Sequence, residues 1–122
     1  MTKVLVVEDN QNLLTLYTEE LGDEGYEVRG ALSGKKAIKE VEKDRPDIVV
    51  LDICLPDIDG IHVLEKILAI DKSIKIVLNT AYSTYKDNFM TWSADAYVIK
   101  SADLTELKET VRKVLETARA EP

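Results

Sequence analysis

The chain has 122 residues, the length of one domain, and it can bury a core without covalent staples; its one cysteine, Cys54, excludes an intramolecular disulfide. Hydrophobic residues make up 45% of it, an ordinary globular share that excludes a disordered chain. The formal charge is −7, from 23 acids against 16 bases, which argues against direct nucleic-acid binding, because that affinity rests on Lys and Arg patches.

The first apolar run, "VLVV" at 4–7, is too short for a signal peptide and ends in acids. No later run approaches membrane-spanning length, so the expectation is a soluble cytoplasmic protein with no membrane partner. Asn10 is placed to cap a helix whose Leu13, Leu14, Tyr17 and Leu21 share one face. "YEVRG" at 26–30 alternates apolar and polar residues, as an edge strand does. Ser33 is a second cap, before a helix with Ala37, Ile38 and Val41 on one face. "IVVL" at 48–51 is continuously apolar, which fits a parallel strand buried on both faces. A third helix presents Ile61, Leu64 and Leu68, flanked by Val63 and Ile67. "IKIVL" at 74–78 gives a fourth strand, and the irregular "STYKDNFMTW" at 83–92 a short helix. "AYVI" at 96–99 is the last strand. The last helix carries the cleanest stripe, Leu104, Leu107, Val111, Val114 and Leu115, behind Asp103 and Glu106 at capping-box spacing. Strand and helix alternate throughout, which predicts one domain over 1–122 with a frayed tail at 119–122. The class is α/β, a doubly wound five-stranded parallel sheet, (βα)5; in the flavodoxin-like strand order 2-1-3-4-5 its second strand would lie outermost.

Ligands of such a sheet bind at the carboxyl ends of its strands. Glu8 and Asp9 follow the first strand, Asp52 the third, Asn79 and Thr80 the fourth, and Lys100 the fifth. Carboxylates brought that close repel one another, so one takes a proton or a cation sits among them. Mg²⁺ suits the set, because it binds through few carboxylates and also contacts phosphate oxygens. Lys100 and the Thr80 hydroxyl could then hold a phosphoryl group, with a carboxylate as nucleophile. Asp57 and Asp59 follow Pro56 in a turn, where aspartate favours turn geometry and caps helices. A calcium loop is excluded: with Gly60 at its sixth position it would start at Leu55 and end at Lys66, neither of which is a ligand. His62 has no partner at metal spacing and reads as a solvated surface residue.

With the acidic pair Glu8-Asp9, "LDICLPDIDG" at 51–60, "NTA" at 79–81 and "YVIK" at 97–100, the sequence resembles the receiver domain of two-component response regulators over roughly residues 2–118. The resemblance implies that Asp52 is the phosphoacceptor, charged by a sensor histidine kinase or a histidine phosphotransfer protein. It implies Mg²⁺ or Mn²⁺ held by Asp9, Asp52 and the Cys54 backbone carbonyl, with Glu8 acting mostly through water. Thr80 and Lys100 would clasp the phosphoryl group, and Tyr97 would be the aromatic switch that moves inward with Thr80. Cys54, Ala81 and Tyr82 would flank the phosphate, with bulky Tyr82 shielding it and prolonging the signal. The output, to an unspecified partner or through a homodimer, would pass through the surface the family numbers α4-β5-α5, here 83–92, 96–99 and the last helix. Such a domain is a switch rather than an enzyme, its only chemistry being gain and loss of its own phosphate. The alternative is a pseudo-receiver that works as a phosphorylation-independent interaction platform.

The family usually has proline after the lysine, across a cis bond. Ser101 stands there instead, and a non-proline cis bond costs about 3 kcal/mol, which favours trans with Lys100 aimed somewhat differently. Trp92-Ser93 replaces the usual glycine before "AD", which predicts a short or irregular helix at 83–92 and an atypical output surface. Cys54 lies among carboxylates that disfavour a reactive thiolate.

Overall fold

The continuous apolar runs form strands because parallel pairing buries both faces of each. The computed structural model describes residues 1–81 and 93–120, the side chains of 119 and 120 excepted. Its strands are β1 (Lys3–Val7), β2 (Glu27–Ala31), β3 (Ile48–Leu51), β4 (Lys75–Thr80) and β5 (Ala96–Ile99), all parallel in the order β2-β1-β3-β4-β5. The alternating strand β2 is at an edge, as its pattern predicts. The helices are α1 (Gln11–Asp23), α2 (Gly34–Lys43), α3 (Gly60–Ile70) and a C-terminal helix (Thr105–Ala120).

Alternation along the strands sends side chains to two cores. Val4, Val6, Ile48, Val50, Val77 and Val98 meet Leu14, Tyr17 and Leu21 of α1 and Leu107, Val111 and Leu115 of the C-terminal helix. Leu5, Val7, Val49, Leu51, Ile76, Leu78 and Tyr97 meet Ala37 and Val41 of α2 and Val63, Leu64 and Ile67 of α3. Each full burial of a Val, Leu or Ile side chain contributes roughly 1.5–3 kcal/mol, more than a helix cap's ~1 kcal/mol, so packing sets where the helices lie. The caps set where they start. Asn10 accepts from the Leu13 N–H and Ser33 from the Lys36 N–H, as expected, and Asp59 accepts from the Ile61 N–H of α3.

Several expectations are corrected. Strand β4 continues past 78, because Asn79 and Thr80 still pair with Val98 and Ile99 and are themselves buried. The buried stripe of α3 centres on Val63, Leu64 and Ile67; Ile61 and Leu68 are only half-buried at its margins. The capping box before the C-terminal helix is incomplete. Asp103 accepts from Thr105 rather than Glu106, and its own N–H donates to the Ser101 hydroxyl. Residues 83–92, with the expected short helix and Trp92, and also Tyr82, lie outside the described residues.

Glycine is required where α3 starts. A Cβ on Gly60 would stand 2.5 Å from the Asp52 carbonyl oxygen and 2.5 Å from Ile53 Cα. The Gly60 N–H donates to the Ile53 carbonyl at 2.8 Å, so α3 begins directly against the loop that carries Asp52.

Candidate functional site

The parallel register aligns the strand ends. Val7 lies opposite Leu51 and Leu51 opposite Leu78, so Glu8, Asp52 and Asn79 come next on three adjacent strands. Backbone bonds carry the alignment past the strands: Glu8 N–H donates to Ala31, Asp52 N–H to Val7 and Lys100 N–H to Thr80. Glu8, Asp52 and Lys100 are therefore held in place by backbone bonds at the strand ends.

Lys100 Nζ donates to Glu8 Oε1 at 2.5 Å and to Asp52 Oδ2 at 2.8 Å. Asp52 Oδ1 accepts from the Cys54 N–H at 3.2 Å, and Glu8 Oε2 from the Asn10 N–H at 3.0 Å. Glu8 and Asp52 are buried at 2% and 6% exposure, Asp9 is exposed, and Thr80 is fully buried. Burial pushes the Glu8 carboxyl above its usual range, against the pull of Lys100 and the Asn10 N–H. Burial also works against the Lys100 ammonium, yet its bonds to Asp52 and Glu8 prevail and hold its pKa above the ordinary lysine value. Lys100 therefore stays charged and neutralises the pair that burial would otherwise penalise.

Among the described residues one ammonium faces three carboxylates and does not balance them. Glu8, Asp9 and Asp52 each offer an oxygen, and these oxygens lie within 4.8 Å of one another. Three formal negative charges against one positive leave −2, carried by hard oxygen donors, and Asp9 opens the set to solvent. That donor set fits Mg²⁺ or Mn²⁺, which combine carboxylate and water ligands.

The remaining expected residues divide clearly. Tyr97 is buried in β5 against the α2-α3 side of the sheet. Ala81 is exposed just past Thr80. Cys54 is exposed, and partial desolvation by its neighbours together with the charges of Asp52 and Asp59 pushes its thiol up, so it is no reactive thiolate. No cis peptide occurs among the described residues, so the Lys100–Ser101 bond is trans, and Lys100 still reaches Asp52. His62 is exposed on α3. Asp57 and Asp59 stay out of the acid cluster: Asp59 caps α3, and Asp57 accepts from the Gly34 and Lys35 N–H groups, both at 3.0 Å. The Asp57 contact ties the loop after β3 to the start of α2, a long-range cap that sequence spacing does not announce. The Asn10 N–H on Glu8 was also missed; Asn10 reads only as a helix cap, which it is as well.

A family model described as "Response regulator receiver domain" matches residues 4–112. The sporulation initiation phosphotransferase F of Bacillus subtilis is 33% identical over 115 residues, covering 93% of each chain. The chain spans about half the length of other curated relatives it matches. Among solved structures, the response regulator TrrA from Thermotoga maritima, in complex with Mg(2+)-BeF, is 44% identical, with a TM-score of 0.87 over 93% of this chain and 99% of that one. TrrA in complex with the histidine kinase ThkA gives 44% identity and a TM-score of 0.85 over 94% of this chain and 99% of that one.

Proposed function

The chain belongs to the response regulator receiver family, and on that premise we propose that Asp52 is its phosphoacceptor, charged from a phosphohistidine of a sensor kinase or a phosphotransfer protein. The observation that carries this reading is the Lys100 ammonium seated on the buried Asp52 carboxylate, with Glu8 and Asp9 beside it.

The chemistry is phosphoryl transfer. An Asp52 carboxylate oxygen attacks phosphorus, the P–O bond forms as the P–N bond breaks, and the imidazole leaves. The Cys54 N–H already orients the carboxylate through its Oδ1. Lys100 is placed to pass from Asp52 to a phosphoryl oxygen, and the Thr80 hydroxyl to donate to another. Glu8, Asp9, Asp52 and the Cys54 carbonyl would hold Mg²⁺, whose contribution is to offset the negative charge that gathers during transfer. Tyr97 follows Thr80 as the switch, and Cys54 and Ala81 flank the phosphate and set its exposure to water. Residues 1–122 act as one cytoplasmic receiver unit. It catalyses only its own phosphorylation and dephosphorylation, and it signals to a partner or a second copy through 83–92, β5 and the C-terminal helix. Among the described residues no helix is long and apolar enough to cross a membrane.

The test is intact mass after incubation with acetyl phosphate and Mg²⁺, beside an Asp52→Asn variant. A gain of one phosphate that needs Mg²⁺ and is lost in the variant supports the reading. No gain in either protein refutes it and leaves a phosphorylation-independent platform.

A further inference from the structure

The loop between β3 and α3 is pinned along its length. The Gly60 N–H donates to the Ile53 carbonyl at 2.8 Å, and Asp59 caps α3 through the Ile61 N–H at 2.8 Å. Asp57 reaches out of the loop altogether. Its two oxygens accept from the Gly34 and Lys35 N–H groups, both at 3.0 Å, across 23 and 22 residues of sequence. Packing seats the loop on the same spot. Gly34 is buried, and a Cβ on it would stand 2.7 Å from Val63 Cγ2 and 3.2 Å from Ile58 Cβ, so α2 begins directly against the loop and α3.

Helix α2 has less need of this aspartate than the loop has. Ser33 already caps α2, accepting from the Lys36 N–H at 3.2 Å, and Lys35 is exposed, where water can accept from its N–H. In the loop, Cys54 lies between the Ile53 anchor and Asp57. Its N–H donates to Asp52 Oδ1 at 3.2 Å, and under the receiver reading its carbonyl holds Mg²⁺. Only Leu55 and Pro56 separate Cys54 from Asp57, and a proline fixes its own φ and narrows the conformations of the residue before it. That short, stiff link carries the hold of α2 on Asp57 back to the Cys54 backbone.

We propose that Asp57 is a positioning residue of the phosphoryl site: by fastening the loop to the start of α2 it fixes the Cys54 backbone, and with it the carbonyl offered to Mg²⁺ and the N–H that orients Asp52. This rests on the receiver reading above. Without Asp57 the fold, the acid cluster and Lys100 remain, but the Cys54 peptide groups lose their fixed place.

The test compares the full chain with Asp57→Ala and Asp57→Asn, and with Ser33→Ala, which weakens the start of α2 without touching the loop. Each protein is measured for its melting temperature without metal, its dissociation constant for Mg²⁺ by calorimetry, the hydrogen exchange of its Cys54 amide relative to the amides of β3, and its rate of phosphate gain from acetyl phosphate at saturating Mg²⁺. Asp57→Ala and Ser33→Ala both melt lower, because each removes a cap of α2. Asp57→Ala alone should bind Mg²⁺ about tenfold more weakly, exchange its Cys54 amide about tenfold faster and gain phosphate more slowly. Asp57→Asn keeps one acceptor oxygen and should fall between. Wild-type Mg²⁺ binding and Cys54 exchange in Asp57→Ala, or equal losses in Ser33→Ala, overturn the inference while the receiver reading stands. Weaker Mg²⁺ binding with unchanged Cys54 exchange overturns it too, since a lost charge alone does that. If Asp57→Ala does not fold, Asp57→Asn decides by the same criteria. A wild type that binds no Mg²⁺ and gains no phosphate refutes the receiver reading, and this inference with it.

Discussion

Gly60→Ala concentrates its effect where the fold and the site meet. The added Cβ would meet the Asp52 carbonyl oxygen at 2.5 Å, Ile53 Cα at 2.5 Å and the Ile53 carbonyl oxygen at 2.8 Å, all of them backbone atoms that no rotamer change removes. Ordinary contact begins at 3.4 Å, so the start of α3 and the loop after β3 must part by about 0.9 Å. Overpacking of that kind costs about 1–3 kcal/mol, a drop of roughly 3–15 °C in melting temperature for a domain of this size. The displaced loop carries Asp52 and the Cys54 N–H that orients it. A shift approaching 1 Å in a reacting group can lower a rate by about a hundredfold. The assays are thermal unfolding and the initial rate of phosphate gain from acetyl phosphate. The control is Gly22→Ala: Gly22 lies in α1 with nothing within 4 Å of the added carbon, so helix propensity should raise stability by up to about 1 kcal/mol. A Gly60→Ala protein with wild-type melting temperature and rate would refute the steric argument.

Lys100→Met removes the ammonium from the Glu8 and Asp52 carboxylates, whose side chains are 3% and 7% exposed. At neutral pH without metal the cost should be about 3 kcal/mol in urea unfolding, and excess Mg²⁺ should recover much of it; equal stability with and without Mg²⁺ would contradict the charge argument. Asp57→Ala removes the acceptor for two N–H groups of α2 and should lower the melting temperature at neutral pH. The Lys35 and Gly34 N–H groups hold the Asp57 carboxyl below the usual carboxylate range. Its contribution is therefore complete above the unfolded-state pKa and disappears as pH falls through the lowered folded-state value. Melting curves of wild type and variant should converge in acid, and a gap that is independent of pH would exclude the carboxylate as its source.

Much of this was legible because burial and chemistry use different residue types. Continuous runs such as 48–51 mark strands buried on both faces, and the polar residue that ends such a run marks the sheet edge. Asp52 and Lys100 are found that way. The same rule misplaces the end of β4, since Asn79 and Thr80 are polar yet belong to the strand. Partners distant in sequence were invisible. Nothing in "PDIDG" says that Asp57 reaches Gly34, 23 residues upstream, or that Gly60 must admit a backbone oxygen. Such facts depend on how α2 and α3 lie side by side on the sheet, and summed packing sets that rather than any local pattern.

The resting charge arrangement constrains how the switch can work. Lys100 is bonded to Asp52 and to Glu8 at once, so the nucleophile is not idle before phosphate arrives. The ammonium has three N–H donors and Glu8 and Asp52 take two, so one is left for a phosphoryl oxygen; moving further onto the phosphoryl group would strip Lys100 from a carboxylate that is almost wholly buried. A buried carboxylate that loses its ammonium is destabilised by several kcal/mol unless another cation takes over. The dication that the acid cluster fits therefore serves two ends: it offsets charge on the transferring group, and it lets Lys100 move off a carboxylate. Glu8→Gln removes one of the two claims on Lys100 and also a carboxylate that would hold the metal, so half-saturation should move to higher Mg²⁺ while the rate at saturating Mg²⁺ stays at or above that of wild type. Initial rates across a Mg²⁺ titration decide the point: unchanged half-saturation would exclude Glu8 from the metal site, and a lower saturated rate would mean that its hold on Lys100 does not oppose transfer.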